Sequence, residues 1–230
     1  MNRIHFVVVA FVALAVVAAI SIPRTDLSHA GSADGTIVGA VVLQTADGKT
    51  VPAAAGVVVH LASSAELDAA TKPVVRRISQ KNRIFSPALT VIPKGSKIEF
   101  PNDDRIFHNV FSLSRAKRFD LGLYRDGDSR SVKFKRAGVI DVYCNIHPEM
   151  KAQIKVVPNG FHSVTDDEGR FRIDGIPAGS YELVAWNGGE VRVPVTISSG
   201  KRHEQELVLA PAPPPGRHTR KDGTPYRRYD

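Results

Sequence analysis

The sequence is poor in cysteine, tryptophan and methionine. Its 230 residues contain one Cys, one Trp and two Met, and one of the two Met is the first residue. A single cysteine excludes an intramolecular disulfide, a four-cysteine zinc site and a Cys-x-x-Cys redox pair, so any sulfur chemistry depends on one thiol. Because 43% of the residues are hydrophobic, the chain has enough apolar material for folded cores, which excludes a wholly disordered protein.

Long apolar runs are scarce as well, and the one that stands out lies at the N-terminus. Residues 6–22 contain no charge, follow Arg3 and precede a short polar stretch with small residues before Gly31. This arrangement predicts a secretory signal peptide over residues 1–30. The alternative is an uncleaved membrane anchor, because 17 residues reach the short edge of a membrane span. Under either interpretation the remainder is expected to be periplasmic or otherwise exported.

The apolar periodicity of amphipathic helices is also lacking. No stretch sustains an apolar period of 3.6 residues, whereas 18 Gly and 15 Pro separate short, Val-rich runs. The sequence therefore predicts an all-β protein, with spacing typical of β-sandwiches. In the middle of the chain the expected strands are residues 89–92, 96–100, 108–113, 130–134, 139–143 and 152–157.

Two turn motifs near the C-terminus carry a family resemblance. They are an Asp-x-x-Gly-x-Phe turn over residues 166–171 and a Pro-x-Gly-x-Tyr turn over residues 177–181, with two Gly- and Val-rich strands at residues 35–61. Together they resemble the carboxypeptidase regulatory-like domains, which are transthyretin-like sandwiches. The resemblance implies a discontinuous domain built from residues 34–66 and 159–209, into which residues 74–157 are inserted. The alternative is an N-terminal hairpin followed by two adjacent, consecutive domains.

The candidate metal ligands are four residues of the middle segment. Cys144, His147 and Met150 form a Cys-x-x-His-x-x-Met run that leaves a predicted strand, and His108 lies 36 residues upstream. A thiolate, two imidazoles and a thioether suit copper, whereas zinc would more often have a second Cys or a carboxylate. Strand alternation directs Cys144 into the sandwich, where a lone thiolate would be costly without a cation.

The same segment resembles the cupredoxins of the plastocyanin and amicyanin group, and most closely the exported plastocyanin-like methylamine utilization proteins. The landmarks, over about residues 78–157, are Phe100-Pro101-Asn102, His108-Asn109-Val110-Phe111 and the run from Cys144 to Met150. The resemblance implies a Greek-key sandwich with one type 1 copper ion held by His108, Cys144, His147 and Met150. It also implies that Asn109 braces the cysteine loop, while Asn145 departs from the usual Thr or Ser.

These expectations favour an electron carrier over an enzyme. Four protein ligands leave no open position for a substrate, so we predict a type 1 copper protein that passes single electrons between periplasmic partners. Two alternatives remain open: a copper-binding or copper-delivery module without electron transfer, and a metal-free structural or adhesion protein.

Charge is concentrated in the middle segment. Residues 74–157 contain 17 Lys and Arg against 8 Asp and Glu, a net charge of +9. Such a surface suits an acidic redox protein, for example a cytochrome or a dehydrogenase. Nucleic acid is not expected for an exported protein, and a membrane only if the N-terminal segment is uncleaved. The predicted docking residues are Arg105, Arg115, Lys117, Arg118 and Lys151.

The remaining polar features are expected to be structural. Asp103, Asp104 and Asp120 are interpreted as turn and cap residues, and residues 66–73 as a linker. The Pro-rich, basic tail over residues 211–230 is predicted to be disordered. The other histidines are expected at the surface: His60, His162, His203 and His218.

Overall fold

The computed structural model describes residues 34–53, 55–212 and 219–225. The predicted signal peptide over residues 1–30 lies outside this described part. Among the described residues, no helix combines the length and the apolar character needed to cross a bilayer. The protein is an all-β sandwich structure, as the sequence predicts, with 18 strands and one short helix in the described ranges.

The strands fall into three stretches of the chain. The first three are β1 (Gly35–Gln44), β2 (Thr50–Pro52) and β3 (Val58–Leu61), followed by the helix α1 (Ala65–Ala70). The next ten are β4 (Val75–Arg77), β5 (Ser79–Lys81), β6 (Ile84–Ser86), β7 (Leu89–Pro93), β8 (Lys97–Pro101), β9 (His108–Ser112), β10 (Phe119–Tyr124), β11 (Ser129–Lys133), β12 (Gly138–Tyr143) and β13 (Lys151–Val157). The last five are β14 (His162–Val164), β15 (Arg170–Ile176), β16 (Gly179–Trp186), β17 (Glu190–Ile197) and β18 (Arg202–Leu209).

These strands pair within two groups. We call β4 to β13 the central sandwich, and β1 to β3 with β14 to β18 the terminal sandwich. The central sandwich contains sheets of order β10-β9-β12-β13-β7 and β11-β8-β4, with β5 and β6 as a separate hairpin. The terminal sandwich contains sheets of order β15-β1-β18, with β2 beside β1, and β14-β3-β16-β17. Strands from before and after the central sandwich therefore share both sheets of the terminal one.

Each sandwich has its own apolar core. Side chains alternate between the two faces of a strand, so in β1 the buried Ile37 and Val41 lie on one face. With Leu61, Leu183 and Leu207 they belong to the core of the terminal sandwich. The central core contains these buried residues: Ile78, Phe85, Ile92, Ile98, Phe100, Val110, Tyr124, Val132, Phe134, Ile140, Val142, Cys144, Met150, Ala152, Ile154 and Val156. The cysteine and the second methionine are thus central core residues.

The two ends of the central sandwich lie side by side. The chain leaves the terminal sandwich after β3 and returns at β14, and these strands pair antiparallel with His162 opposite His60. The Leu61 N–H donates to the Phe161 carbonyl at 3.0 Å, and the Asn159 side chain donates to the Leu61 carbonyl at 3.2 Å. Adjacent ends allow the intervening residues to fold as a unit without separating β3 from β14.

The expected linker contains a short helix. Ser64 caps the N-terminus of α1 by accepting a hydrogen bond from the Leu67 N–H at 3.2 Å, and Leu67 is buried in the terminal core. On α1 itself, Asp68 forms an ion pair with Lys94 of the central sandwich at 3.0 Å. The segment between β3 and β4 therefore packs on the protein and is more than a spacer.

One face of β3 packs toward the central sandwich, which explains why all four of its residues are buried. Val59 points into the terminal core, whereas Val58 joins Val157 and Trp186 in a separate apolar cluster between the two sandwiches. In this region the buried Lys155 ammonium lies 4.5 Å from the centre of the Trp186 ring. Apolar packing and this cation–π contact join the two sandwiches.

His60 lies on the same face of β3 as Val58 and is 5% exposed, so the expectation of a surface histidine was wrong. Alternation alone does not reveal that both faces of a strand are covered. Burial lowers the pKa of His60 to about 4, although the ring Nδ1 lies 3.0 Å from the Leu61 carbonyl and Glu190 acts in the opposite direction. His60 is therefore neutral in the folded protein near neutral pH.

This burial predicts a pH-dependent stability. In the unfolded chain His60 gains a proton near its ordinary pKa of 6.5, whereas in the folded chain it stays neutral down to about pH 4. Stability contributed by His60 is thus complete above about pH 7 and is lost as the pH falls toward 4. We expect a loss of about 2 kcal/mol between about pH 7 and pH 4.5, measured by urea unfolding, that is missing in His60→Gln. Parallel pH profiles for the two proteins would contradict this assignment.

Candidate metal centre

Two antiparallel strands bring the first two donors to the same end of the central sandwich. His108 is the first residue of β9, and Cys144 directly follows β12. Tyr143 pairs with Phe111 in antiparallel register, so the start of β9 extends past the end of β12, alongside the loop that begins at Cys144. Both side chains are fully buried. The register of the sheet therefore joins two residues that are 36 positions apart in the sequence.

A short loop returns the third donor to the same place. Between Cys144 and β13 the chain turns back on itself: the Met150 N–H donates to the His147 carbonyl at 3.2 Å, and the Cys144 N–H donates to the Met150 carbonyl at 3.3 Å. His147 is half-buried, in contrast to His108 and Cys144. The loop thus places its histidine between the core and the solvent.

The three donor atoms form one cluster. The ligand atoms of His108, Cys144 and His147 all lie within 4.8 Å of one another. The Nδ1 atoms of the two histidines are 3.1 Å apart, and the Cys144 Sγ lies 3.7 Å from the His147 Nδ1. Among the described residues this is the group of three or more His, Cys, Asp or Glu side chains that could hold a metal.

These separations fit a single metal ion. A first-row ion such as zinc bonds imidazole nitrogen at about 2.0 Å and thiolate sulfur at about 2.3 Å. With angles of about 100° to 120° at the ion, two nitrogens lie about 3.1 to 3.5 Å apart and a nitrogen and a sulfur about 3.3 to 3.7 Å apart. The observed 3.1 and 3.7 Å fall within these ranges. One thiolate with two imidazoles is a set that suits copper.

The hydrogen bond to Asp104 uses the Nε2 atom of His108 and leaves Nδ1 for a metal. The His108 Nε2 lies 3.0 Å from the Asp104 Oδ2. The backbone N–H of Arg83 and the contact with His108 hold the pKa of the Asp104 carboxyl below its usual range, so the carboxylate accepts and Nε2 donates. A neutral His108 with its proton on Nε2 presents the Nδ1 lone pair toward His147.

His147 is also suited to bind a metal near neutral pH. Burial, followed by the nearby His108, lowers the pKa of His147 below its usual value. A lowered pKa favours the neutral ring, and only a neutral imidazole has a lone pair to donate to a metal. The lowered pKa therefore favours His147 as a nitrogen donor to a metal.

Met150 is adjacent to the cluster through its backbone. It is fully buried in the central core, and its peptide groups bond to Cys144 and to His147. A thioether on this loop has the chemistry of a weak, additional ligand. Its role as the fourth ligand stays a prediction.

Asn109 and Asn145, which follow the candidate ligands His108 and Cys144, are joined by an indirect route. The resemblance implied that Asn109 braces the cysteine loop, but its Nδ2 donates to the Asp120 Oδ1 at 2.7 Å. Lys221 completes the link, because its Nζ donates to the other Asp120 oxygen at 2.7 Å and its backbone N–H donates to the Asn145 Oδ1 at 3.0 Å. A chain of polar contacts therefore connects the strand of His108 to the loop of Cys144.

Residues 219–225 of the C-terminal tail contact the central sandwich, and the disorder expected over residues 211–230 stays a prediction. Residues 219–225 form a turn in which the Arg220 N–H donates to the Thr224 carbonyl at 2.9 Å. Lys221 and Asp222 line a cavity of about 520 Å³ together with Phe111, Phe119 and other residues of the central sandwich. Residues 213–218 and 226–230 lie outside the described part.

The five basic residues predicted to dock a partner do not lie together. Arg105 precedes His108 in the β8–β9 loop, and Lys151 opens β13 opposite Tyr143. The other three, Arg115, Lys117 and Arg118, belong to the β9–β10 loop. This loop contacts the start of β12, where Ala116 faces Gly138. Gly138 is six residues before Cys144, which is about 20 Å along an extended strand. Arg105 and Lys151 flank the candidate ligands in the sequence, whereas Arg118 lines the cavity that also contains Lys221.

The sequence interpretation missed three side chains that support the site. Asp104 contacts the candidate ligand His108, Asp120 joins Asn109 to the tail, and Lys221 reaches Asn145. The position of Asp104 four residues before His108 was a usable signal, since metal-binding histidines commonly donate their second ring N–H to a carboxylate. No comparable signal marks Lys221, because its contacts depend on the path of the tail.

Comparison with known proteins finds cupredoxins among the similar solved structures. No protein-family model matches the chain, and no curated protein matches it. A purple cupredoxin from Nitrosopumilus maritimus is 26% identical over 35% of this chain and 98% of its own, with a TM-score of 0.33.

Two further structures are similar over a comparable share of the chain. Amicyanin from Paracoccus versutus is 20% identical over 37% of this chain and 81% of its own, with a TM-score of 0.33. The copper-containing nitrite reductase NirK from Thermus scotoductus SA-01 is 24% identical over 39% of this chain and 23% of its own, with a TM-score of 0.35. Each likeness covers well under half of this chain.

Proposed function

We propose that this protein is an exported type 1 copper protein, a cupredoxin in its central sandwich, that carries single electrons between periplasmic partners. The convergence of Cys144 Sγ with the Nδ1 atoms of His108 and His147 carries this proposal. A trigonal set of two imidazoles and one thiolate, with a weak thioether nearby, is typical of electron-transfer copper sites. Met150 is the proposed fourth ligand.

When bound, one copper ion would supply one-electron oxidation and reduction, and the chain would supply its surroundings. His108 and Cys144 are fully buried, so they exclude water from the inner side of the site. His108 is held by Asp104, and the loop from Cys144 to Met150 is closed by its own hydrogen bonds. Such a rigid donor set keeps the same positions in both oxidation states, which favours electron transfer.

His147 is the proposed route for electrons to and from the partner. It is the one half-buried residue of the three donors, and the neighbouring Ile146 is 38% exposed. With four protein ligands, no position is left open for a substrate, and this supports an electron carrier over an enzyme. Arg105 and Lys151, at the same end of the sandwich, would attract an acidic cytochrome or dehydrogenase.

We further propose that the terminal sandwich is a carboxypeptidase regulatory-like, transthyretin-like domain interrupted by the central one. The pairing of β1 with β15 and β18, and of β3 with β14 and β16, supports this interpretation. So does Gly169 in the Asp-x-x-Gly-x-Phe turn. Its φ is +77°, and an added Cβ would approach the Val41 and Ala53 carbonyls to 2.7 Å.

The proposed function predicts a coloured, reversibly reducible copper complex. One equivalent of Cu(II) added to the mature protein should give an intense visible absorption that one reducing equivalent removes and an oxidant restores. Stopped-flow mixing with a small one-electron reductant measures the rate. A colourless Cu(I) complex that gives its ion to a chelator would instead support copper delivery, and absence of binding would support a metal-free protein. Either result would overturn the electron-carrier proposal.

A further inference from the structure

Asp104 contacts His108 in an interaction that the ligand set itself does not require. The Asp104 side chain is 18% exposed, and the His108 ring that it contacts at 3.0 Å is fully buried. Exposed ion pairs contribute little because water and salt screen them. Here the His108 ring has no solvent contact, so water does not compete with the carboxylate for the Nε2 proton.

Asp104 is itself held in place by the loop. Its Oδ2 accepts a hydrogen bond from the Arg83 N–H at 2.9 Å, its Oδ1 accepts one from the Arg105 N–H at 3.2 Å, and its own N–H donates to the Asn102 Oδ1 at 3.0 Å. Asn102 is buried and donates to the Ile106 and Tyr124 carbonyls. The carboxylate is therefore fixed before any metal binds.

The hydrogen bond from Arg83 depends on an unusual turn. Asn82 and Arg83 join β5 to β6, and both have positive φ, at 54° and 56°. Two consecutive left-handed residues are typical of the type I′ turn of a two-residue hairpin, a conformation that Gly adopts more easily than Arg. This hairpin supplies the Arg83 N–H that reaches Asp104.

We propose that Asp104 is a positioning residue for the metal centre, which fixes His108 in the tautomer that binds through Nδ1 and strengthens that nitrogen as a donor. This inference rests on the proposed function. A negative partner on the far side of the ring makes the imidazole a better donor and favours the more highly charged ion. Asp104 therefore lowers the reduction potential of the bound copper.

Asp104→Asn and Asp104→Ala separate charge from orientation. In Asp104→Asn the amide oxygen of the introduced side chain can still accept a hydrogen bond from Nε2, so the copper spectrum should persist. Because the negative charge is lost, the affinity for Cu(II) should fall about tenfold more than the affinity for Cu(I). For one electron this ratio corresponds to an increase in reduction potential of about 59 mV. Asp104→Ala should also weaken copper binding by about 10- to 100-fold, because the hydrogen bond that fixes the tautomer and orientation of the ring is lost.

Asp103→Asn is the matched control. Asp103 belongs to the same loop and loses the same charge, but it accepts hydrogen bonds from Arg77 and Ser79 and has none with His108. Its exposed carboxylate should change the potential much less, because solvent screens it. Equal shifts in Asp103→Asn and Asp104→Asn would overturn the proposal.

The metal-free protein gives a second, independent test. Nitrogen NMR of labelled histidine should find the His108 proton on Nε2 in the wild type and in Asp103→Asn, and a mixture of tautomers in Asp104→Ala. Protonation of Nδ1 in the wild type would overturn the proposal. This measurement needs no copper, so a failure of the proposed function and a failure of this inference are distinguishable.

Discussion

Replacing Cys144 with serine is expected to abolish the intense visible absorption of the copper-loaded protein. The band requires a thiolate bound to copper, and Cys144 is the only cysteine in the chain. Serine is nearly the same size but offers a hydroxyl, which is a harder and far weaker ligand for Cu(I) at neutral pH. Loss of a residue that only hydrogen-bonds to a metal ligand lowers metal affinity by roughly 10- to 100-fold. Loss of the thiolate itself should lower the affinity for Cu(I) by more than that. Absorption spectroscopy and competition with a Cu(I) chelator measure both effects.

Unfolding of the metal-free protein provides the control for this substitution. Cys144 is fully buried in the central core, so a serine there introduces a polar group and is expected to cost about 1 to 3 kcal/mol. His162→Gln, which changes a histidine outside the cluster, should keep the wild-type spectrum. A folded Cys144→Ser protein that retains the band would refute the assignment of the thiolate as a copper ligand.

The strands were predictable because their apolar runs are short and separated by Gly and Pro. All six expected strands of the middle segment occur within a few residues of their predicted bounds, for example residues 139–143 against β12 (Gly138–Tyr143). The donor cluster of His108, Cys144 and His147 was equally visible in the sequence. Two of these residues are three positions apart on one loop, and the third begins a strand, so local spacing contained most of the information.

Features that depend on distant parts of the chain were not predictable. The burial of His60 requires a second sandwich against the outer face of β3, and the contact of Asp104 with Arg83 requires a left-handed turn without glycine. The route from Asn109 through Asp120 to Lys221 requires the tail to fold back across about 100 positions. Each of these features depends on contacts between residues that are far apart in the sequence. Such contacts give specific partners to polar side chains that belong to no recognisable motif.

A second large effect is expected for Gly39→Ala in the terminal sandwich. Gly39 lies in β1, which is paired on both sides, with Phe171 of β15 and Gln205 of β18 opposite it. A Cβ at this position would overlap the Gln205 backbone carbonyl and approach a Phe171 ring carbon to 3.1 Å. Because eight consecutive residues of β1 pair with β18, the carbonyl cannot move without disturbing the sheet. We expect a loss of about 3 kcal/mol or more in the free energy of unfolding.

Gly160→Ala is the matched control, since the nearest atom to its added Cβ is the Thr71 hydroxyl oxygen at an ordinary 3.8 Å. Urea unfolding can be followed through Trp186, the only tryptophan, which lies in β16 of the terminal sandwich. Equal midpoints for the two variants would contradict the close packing of β1 on β18.

The same substitution also distinguishes the two cores. The central core contains no residue of β1, and Cys144 belongs to that core, so a weakened terminal sandwich should leave the copper stoichiometry unchanged in the absence of urea. The two sandwiches meet through Val58, Val157 and Trp186. If the visible band of the Gly39→Ala protein disappears at the same urea concentration at which the Trp186 fluorescence changes, this apolar contact couples the cores into one cooperative unit. A band that survives to higher urea would indicate that the central sandwich holds its metal centre by its own packing.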